Sequence, residues 1–146
     1  YLNIGIGYTL PFETFAAEWI DADALKDELD SYRLPGTAFR TIHYKPIAGS
    51  SQGKLIHGVQ YFFTDYSAAC ISLTQFYVMQ ALHRLYPGRD PFKMAAGRTA
   101  MFDKICGTDY VRKTFSMRLE VSDIVDYWNK DVEDFRTLSS KYHLYK

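Results

Sequence analysis

Two β-patterned runs close together, Phe39–Tyr44 and Leu55–Phe63, constrain the fold of this chain more than any other feature. In the first, Phe39, Thr41 and His43 alternate with Arg40, Ile42 and Tyr44, and Pro46 ends the run. In the second, β-branched and aromatic residues surround Gly58. The segment between them, Gly49-Ser50-Ser51-Gln52-Gly53, reads as a flexible loop, so the two runs predict an antiparallel hairpin.

What flanks the hairpin is mostly helical in period. Leu2, Ile4 and Ile6 alternate with Asn3, Gly5 and Gly7, which predicts one more short strand, stopped by Pro11. Asp21 stands as an N-cap for a short surface helix over Ala22–Tyr32, with Leu25 and Leu29 on one face. Beyond the hairpin, Thr64 or Asp65 is placed to cap a long apolar helix carrying Ile71, Val78, Leu82 and Leu85, the expected centre of the core. Residues 99–106 and 108–117 read as two short helices hinged at Gly107, with Thr108 capping the second. A last helix carries Val121, Ile124, Val125, Trp128, Val132, Phe135 and Leu138 as one apolar stripe, which predicts core positions for Trp128 and Phe135. The expected fold class is α+β: a small antiparallel sheet with helices packed on one side, in a single domain.

Charge and cysteine usage narrow the function. Seventeen basic residues balance seventeen acidic ones and no Lys/Arg run forms a patch, so nucleic acid is not an expected partner. No stretch approaches the ~20 apolar residues of a membrane span. Cys70 and Cys106 are far apart and read as buried thiols, with their pairing left open. None of His43, His57, His83 and His143 stands at metal-ligand spacing from another His or Cys, so no metal or cofactor is expected.

The familiar motifs fail on chemistry. Gly49–Leu55 is one residue short of a phosphate loop and puts Leu55 where a hydroxyl must reach magnesium. Gly5-Ile6-Gly7 lacks the third glycine of a dinucleotide fingerprint. Ser50 and Ser51 have no strand-to-helix elbow to activate them. His57 shares a face with Leu55, Val59 and Tyr61, as either a hydrogen-bonded half-buried residue or a ligand-facing one. Of the carboxylates, only Glu13 and Glu18 lie among apolar neighbours, Glu18 beside Trp19 being the better candidate for a perturbed acid. No pair suited to glycoside hydrolysis emerges, and no catalytic residue is assigned.

Several strings form a pattern in their order and spacing. They are Asn3-Ile4-Gly5-Ile6-Gly7-Tyr8-Thr9-Leu10-Pro11-Phe12 with Ala16-Ala17-Glu18-Trp19-Ile20, then Gly58-Val59-Gln60 with Thr64-Asp65. Phe102-Asp103-Lys104 with Gly107-Thr108-Asp109 follow, then Trp128, Phe135 and Tyr142-His143-Leu144-Tyr145. Together they resemble the C-terminal domain of the NamZ-type exo-β-N-acetylmuramidases. That resemblance implies that residues 1–146 are the auxiliary C-terminal domain of a two-domain periplasmic, cell-surface or secreted hydrolase. Its Rossmann-like N-terminal domain, absent from this chain, would supply the catalytic glutamate and act on a muropeptide or muramyl saccharide. Many members carry Gly-Arg-Gly-Thr where this chain has Gly5-Ile6-Gly7-Tyr8, exchanging a cation and a hydroxyl for an aliphatic and a phenol.

Within that frame Tyr8, Thr9 and Phe12, on the loop that follows the first predicted strand, are the expected cleft wall, with His57 and Gln60 beside them. The alternatives are a non-catalytic carbohydrate-binding module, which the Tyr and Trp content suits, and a purely structural domain.

Overall fold

The computed structural model describes residues 1–145. They form one α+β domain whose residues gather into two compact units, Tyr1–Ala96 and Gly97 onward.

The first unit holds the sheet. Strands β1 (Thr14–Ala17), β2 (Thr37–Tyr44) and β3 (Ile56–Phe63) lie in the order β1-β3-β2, all antiparallel. The expected hairpin is present as β2 and β3, in the register Tyr44↔Ile56 to Thr37↔Phe63. One face presents Ala17, Phe39 and Val59 to a core with Leu25 and Leu29 of helix α1 (Ala22–Ser31) and Val78, Ala81 and Leu82 of helix α2 (Thr74–Leu85). The helices therefore cover one side, as the fold class predicted. Asp21 caps α1 as expected, its Oδ1 accepting from the amides of Asp23 and Ala24 at 3.0 and 3.1 Å. Because Leu25 and Leu29 are fully buried, α1 is a core helix and not merely a surface one.

Two expectations for this unit are corrected. The strand predicted at Leu2–Ile6 shrinks to one bridge, Asn3↔Ala16, because Gly5 and Gly7 take φ of +86° and +81° and turn the chain out of the extended path. A Cβ on Gly5 would stand 2.0 Å from the Leu10 carbonyl oxygen, so only glycine fits there. The strand that does form, β1, is four residues long and buried on both faces, which hides any alternation. Second, α2 begins at Thr74 behind a short 3₁₀ turn, Ile71–Leu73, and neither Thr64 nor Asp65 caps it. Asp65 instead accepts from the amide and hydroxyl of Ser67 at 2.8 and 2.6 Å, closing a turn in the preceding loop.

A one-turn helix α3 (Pro91–Met94) closes the first unit, capped by Asp90. The second unit contains α4 (Thr99–Cys106), α5 (Tyr110–Arg118), a 3₁₀ turn Val121–Asp123, α6 (Val125–Asn129) and α7 (Val132–Ser140). The α4–α5 junction has the expected left-handed Gly107, but the N-cap position of α5 is Asp109, whose side chain makes no cap bond, one residue after the expected Thr108. Gly107 sits at φ +72°, its amide reaches the Lys104 carbonyl, and the Thr108 hydroxyl accepts the Tyr110 amide at 3.1 Å. Asp103 and Arg112 then clamp the two helices with a two-pronged ion pair at 2.7 and 2.8 Å.

The single last helix is not formed. The chain breaks into the 3₁₀ turn, α6 and α7, and the apolar stripe divides with it. Val121 and Ile124 are buried and Trp128 is half-buried, whereas Val132, Phe135 and Leu138 are exposed, Phe135 by 67%. Helical period identified the stripe correctly, but period alone does not say that a partner surface is present to cover it.

Candidate functional site

Phe12 and Arg33 are the non-glycine residues of the first unit with left-handed backbone, and Phe12 is the bulkier, aromatic one. Its φ is +63°, a left-handed conformation that bulky residues rarely adopt. Two bonds from other segments hold it there. The Phe12 amide donates to the Ile4 carbonyl at 2.7 Å, and the Tyr61 hydroxyl donates to the Phe12 carbonyl. Burial, and next the nearby Glu13 carboxylate, push the Tyr61 phenol above its ordinary pKa, so it stays protonated and remains a donor. The outcome is a ring held outward, 64% exposed.

That ring borders two concavities. One, of about 310 Å³, is lined by Ile4, Thr14, Phe15, Ile71, Ser72, Thr74 and Gln75 with Phe12, Tyr61 and Phe63. The other, of about 290 Å³, is lined by Phe12, Glu13, Tyr61, Phe62, Phe63 and Tyr66. Phe12, Tyr61 and Phe63 are common to both. Tyr61 packs edge-on to Phe63 at 5.4 Å, and Phe63 lies 5.7 Å from Tyr66. Half-exposed aromatic faces around a single carboxylate suit a ligand that is apolar on one face and hydroxylated at its rim.

Glu13 is oriented from beneath. Gln60, 3% exposed, donates through Nε2 to Glu13 Oε2 at 2.9 Å and accepts through Oε1 from Arg40 Nε at 2.8 Å. A cation on one side and an anion on the other define which way the amide must point. The Arg40 guanidinium also lies over the Phe62 ring, 5.3 Å from its centroid. The other buried polar group on this face is satisfied too. Tyr44 gives its phenolic proton to Asn3 Oδ1 at 2.9 Å, so the Thr14 hydroxyl, 2.8 Å away, donates to Tyr44.

The sequence-predicted residues scatter over this frame. Phe12 is at the centre of the site. Gln60 lies beneath it as a buried support with both ends of its amide bonded, not as a ligand-facing group. Tyr8 stacks on Tyr44 at 4.3 Å, and Tyr44 pairs with the opposite end of β3. Thr9 is exposed and lines neither concavity. His57 shares a sheet face with Tyr61 but stands near the start of β3, its Nδ1 2.8 Å from that of His43, and it lines neither concavity. Distance along the strand explains the separation, since His57 pairs with Ala17 at the end of β1 whereas Gln60 pairs with Thr14, next to Glu13.

Other candidates resolve into structural roles. Glu18 is exposed and paired with Lys54 at 2.8 Å, not sunk in an apolar pocket. Its neighbour Trp19 is packed among Tyr1, Tyr86 and the Arg89 guanidinium. The Tyr1 hydroxyl, its pKa pushed up to about 12 chiefly by burial, donates to the Arg89 carbonyl at 3.1 Å. Cys70 is exposed and Cys106 half-buried, both free, so the expectation of two buried thiols is corrected: Cys70 precedes the 3₁₀ turn in a loop. His83 is half-buried and His143 exposed. Among the described residues no group of three His, Cys, Asp or Glu side chains is arranged to hold a metal, and no helix is long and apolar enough to cross a membrane. The residues that sequence does not single out for the site are Tyr61, Phe62, Phe63 and Tyr66, and Glu13 rather than Glu18 is the carboxylate that lines it. The aromatic run that closes β3 was the available signal.

Comparison with known proteins points in one direction. The family described as "Exo-beta-N-acetylmuramidase NamZ, C-terminal" matches residues 1–145. A curated relative from Bacillus subtilis (strain 168), "Peptidoglycan beta-N-acetylmuramidase NamZ", is 33% identical over 144 residues, which are 99% of this chain and 34% of the relative. A crystal structure of a DUF1343 family protein from Bacteroides fragilis NCTC 9343 superposes with a TM-score of 0.96 at 46% identity, over 100% of this chain and 38% of that one. The chain thus spans about a third of the length of the proteins it resembles.

Proposed function

The chain belongs to the family of NamZ C-terminal domains, and from that premise we propose that it is the cleft-forming domain of an exo-acting glycoside hydrolase. The whole protein removes terminal N-acetylmuramic acid from peptidoglycan fragments, in the periplasm or at the cell surface, where such fragments arise. The observation that carries the cleft assignment is the Phe12 ledge: a strained, outward-held ring between two concavities, with one oriented carboxylate beside it.

The same geometry supports placing the chemistry outside this chain. Glycoside hydrolysis ordinarily uses two carboxyl groups about 5 to 10 Å apart across the scissile bond. Among the described residues lining the two concavities Glu13 is the only carboxylate. The acid and its partner are therefore assigned to a preceding catalytic domain, and this chain supplies a wall that positions sugar and excludes water.

The test is release of free N-acetylmuramic acid from muropeptides, followed by mass spectrometry. The full-length protein should release it and residues 1–146 alone should not. Release by the isolated chain, or none by the full-length protein, contradicts the proposal. Activity recovered from the cytoplasmic fraction of cells would contradict the assigned location.

A further inference from the structure

Resting on the cleft reading, we propose that the Phe12 ledge binds the neutral sugar on the leaving-group side of the scissile bond, an N-acetylglucosamine-type pyranose, and not the anionic muramic acid. The two sugars of peptidoglycan differ in charge, because muramic acid carries a lactyl carboxylate. A site for that carboxylate needs Arg, Lys or a cluster of amide donors. Among the described residues lining the two concavities there is no Lys, Arg or His, and the only charged group is the Glu13 carboxylate. A second carboxylate brought beside it is repelled.

The cation of the network, Arg40, lines neither concavity. Arg40 donates its Nε–H to Gln60 and rests over the Phe62 ring, so it serves to orient Glu13 through the amide. What remains suits a neutral pyranose. The exposed rings of Phe12 and Tyr66 can meet the C–H face of a sugar, while Glu13 Oε1 and the Tyr66 hydroxyl, which make no hydrogen bond within the described residues, can bond its hydroxyl and acetamido groups.

The experiment uses the full-length protein and its product-inhibition constants for two probes, methyl β-N-acetylglucosaminide and N-acetylmuramic acid, in the wild type, Phe12→Ala, Glu13→Gln and Glu13→Lys. The inhibition constant of the neutral sugar should rise about tenfold in Phe12→Ala and about fivefold in Glu13→Gln, the loss of one stacking face and one charged hydrogen bond respectively. That of muramic acid should stay within about twofold in these two variants and fall in Glu13→Lys, where a cation replaces the repelling charge. Equal changes for both sugars, or none for the neutral one, overturn the assignment while ordinary turnover leaves the cleft reading standing. Absence of turnover in the wild type overturns both. A lowered melting temperature in Phe12→Ala with unchanged inhibition constants identifies the ledge as a contact with the rest of the protein and also refutes the proposal.

Discussion

Phe12 concentrates the physical argument at the scale of single residues. A left-handed phenylalanine costs of order 1–3 kcal/mol, which persists only where surrounding bonds over-determine it. Here those bonds come from Ile4 and Tyr61. Tyr61→Phe keeps the ring packing and removes only the hydroxyl, so it should cost about 1 kcal/mol of stability in urea denaturation and loosen residues 10–13. An unchanged midpoint would mean that the Tyr61 hydroxyl does not hold the ledge. Phe135 gives the opposite expectation. Its periodicity suggested a core residue whose loss would cost about 3–5 kcal/mol, but its 67% exposure puts Phe135→Ala in residues 1–146 at under about 1 kcal/mol. A loss in the core range would restore the sequence-based reading.

At the scale of elements the α4–α5 junction is the best-determined device. Gly107 is left-handed and the Thr108 hydroxyl accepts the Tyr110 amide at the start of α5, so Thr108→Ala should lower stability by about 1 kcal/mol without altering turnover of the full-length protein. A loss of turnover at unchanged stability would make the junction a site. The ion pair beneath it titrates predictably. Hydrogen bonding and charge from Arg112 hold the Asp103 carboxyl below the usual carboxylate range. A carboxyl depressed by folding contributes stability above its unfolded pKa, about 4, and loses that contribution as pH falls through the folded value. Wild type should therefore exceed Asp103→Asn in stability near neutrality, and the gap should close as the pH drops below about 4. A gap that persists in acid would show that the clamp works by packing, not charge.

These elements also show what sequence can and cannot convey. β2 and β3 run for eight residues each and are rich in β-branched and aromatic residues, so strand character survives in the sequence. β1 spans four residues with both faces covered, and the Leu2–Ile6 alternation is overridden by two left-handed glycines. Phe12 was legible as an aromatic in a proline-stiffened loop. Its partners Tyr61 and Tyr66 were not, because only the folding of β3 and the loop after it onto the left-handed turn brings them to it. His57 and Gln60 fell on one strand and were grouped by nearness in sequence, whereas the pairing sets His57 opposite Ala17 and Gln60 opposite Thr14, next to Glu13.

Over the whole molecule the proposed function divides recognition, in this chain, from bond cleavage, outside it. One sheet face is sealed by α1 and α2, and the other carries the polar supports that aim Glu13 beside the Phe12 ring. Hydrogen–deuterium exchange of the full-length protein with and without a saturating muramyl disaccharide tests that placement most directly. The account predicts protection at residues 4–15 and 61–66, with residues 41–44 and α5–α7 unchanged. Protection confined to residues 41–44 or to α5–α7, with the Phe12 ledge exchanging as before, would contradict it.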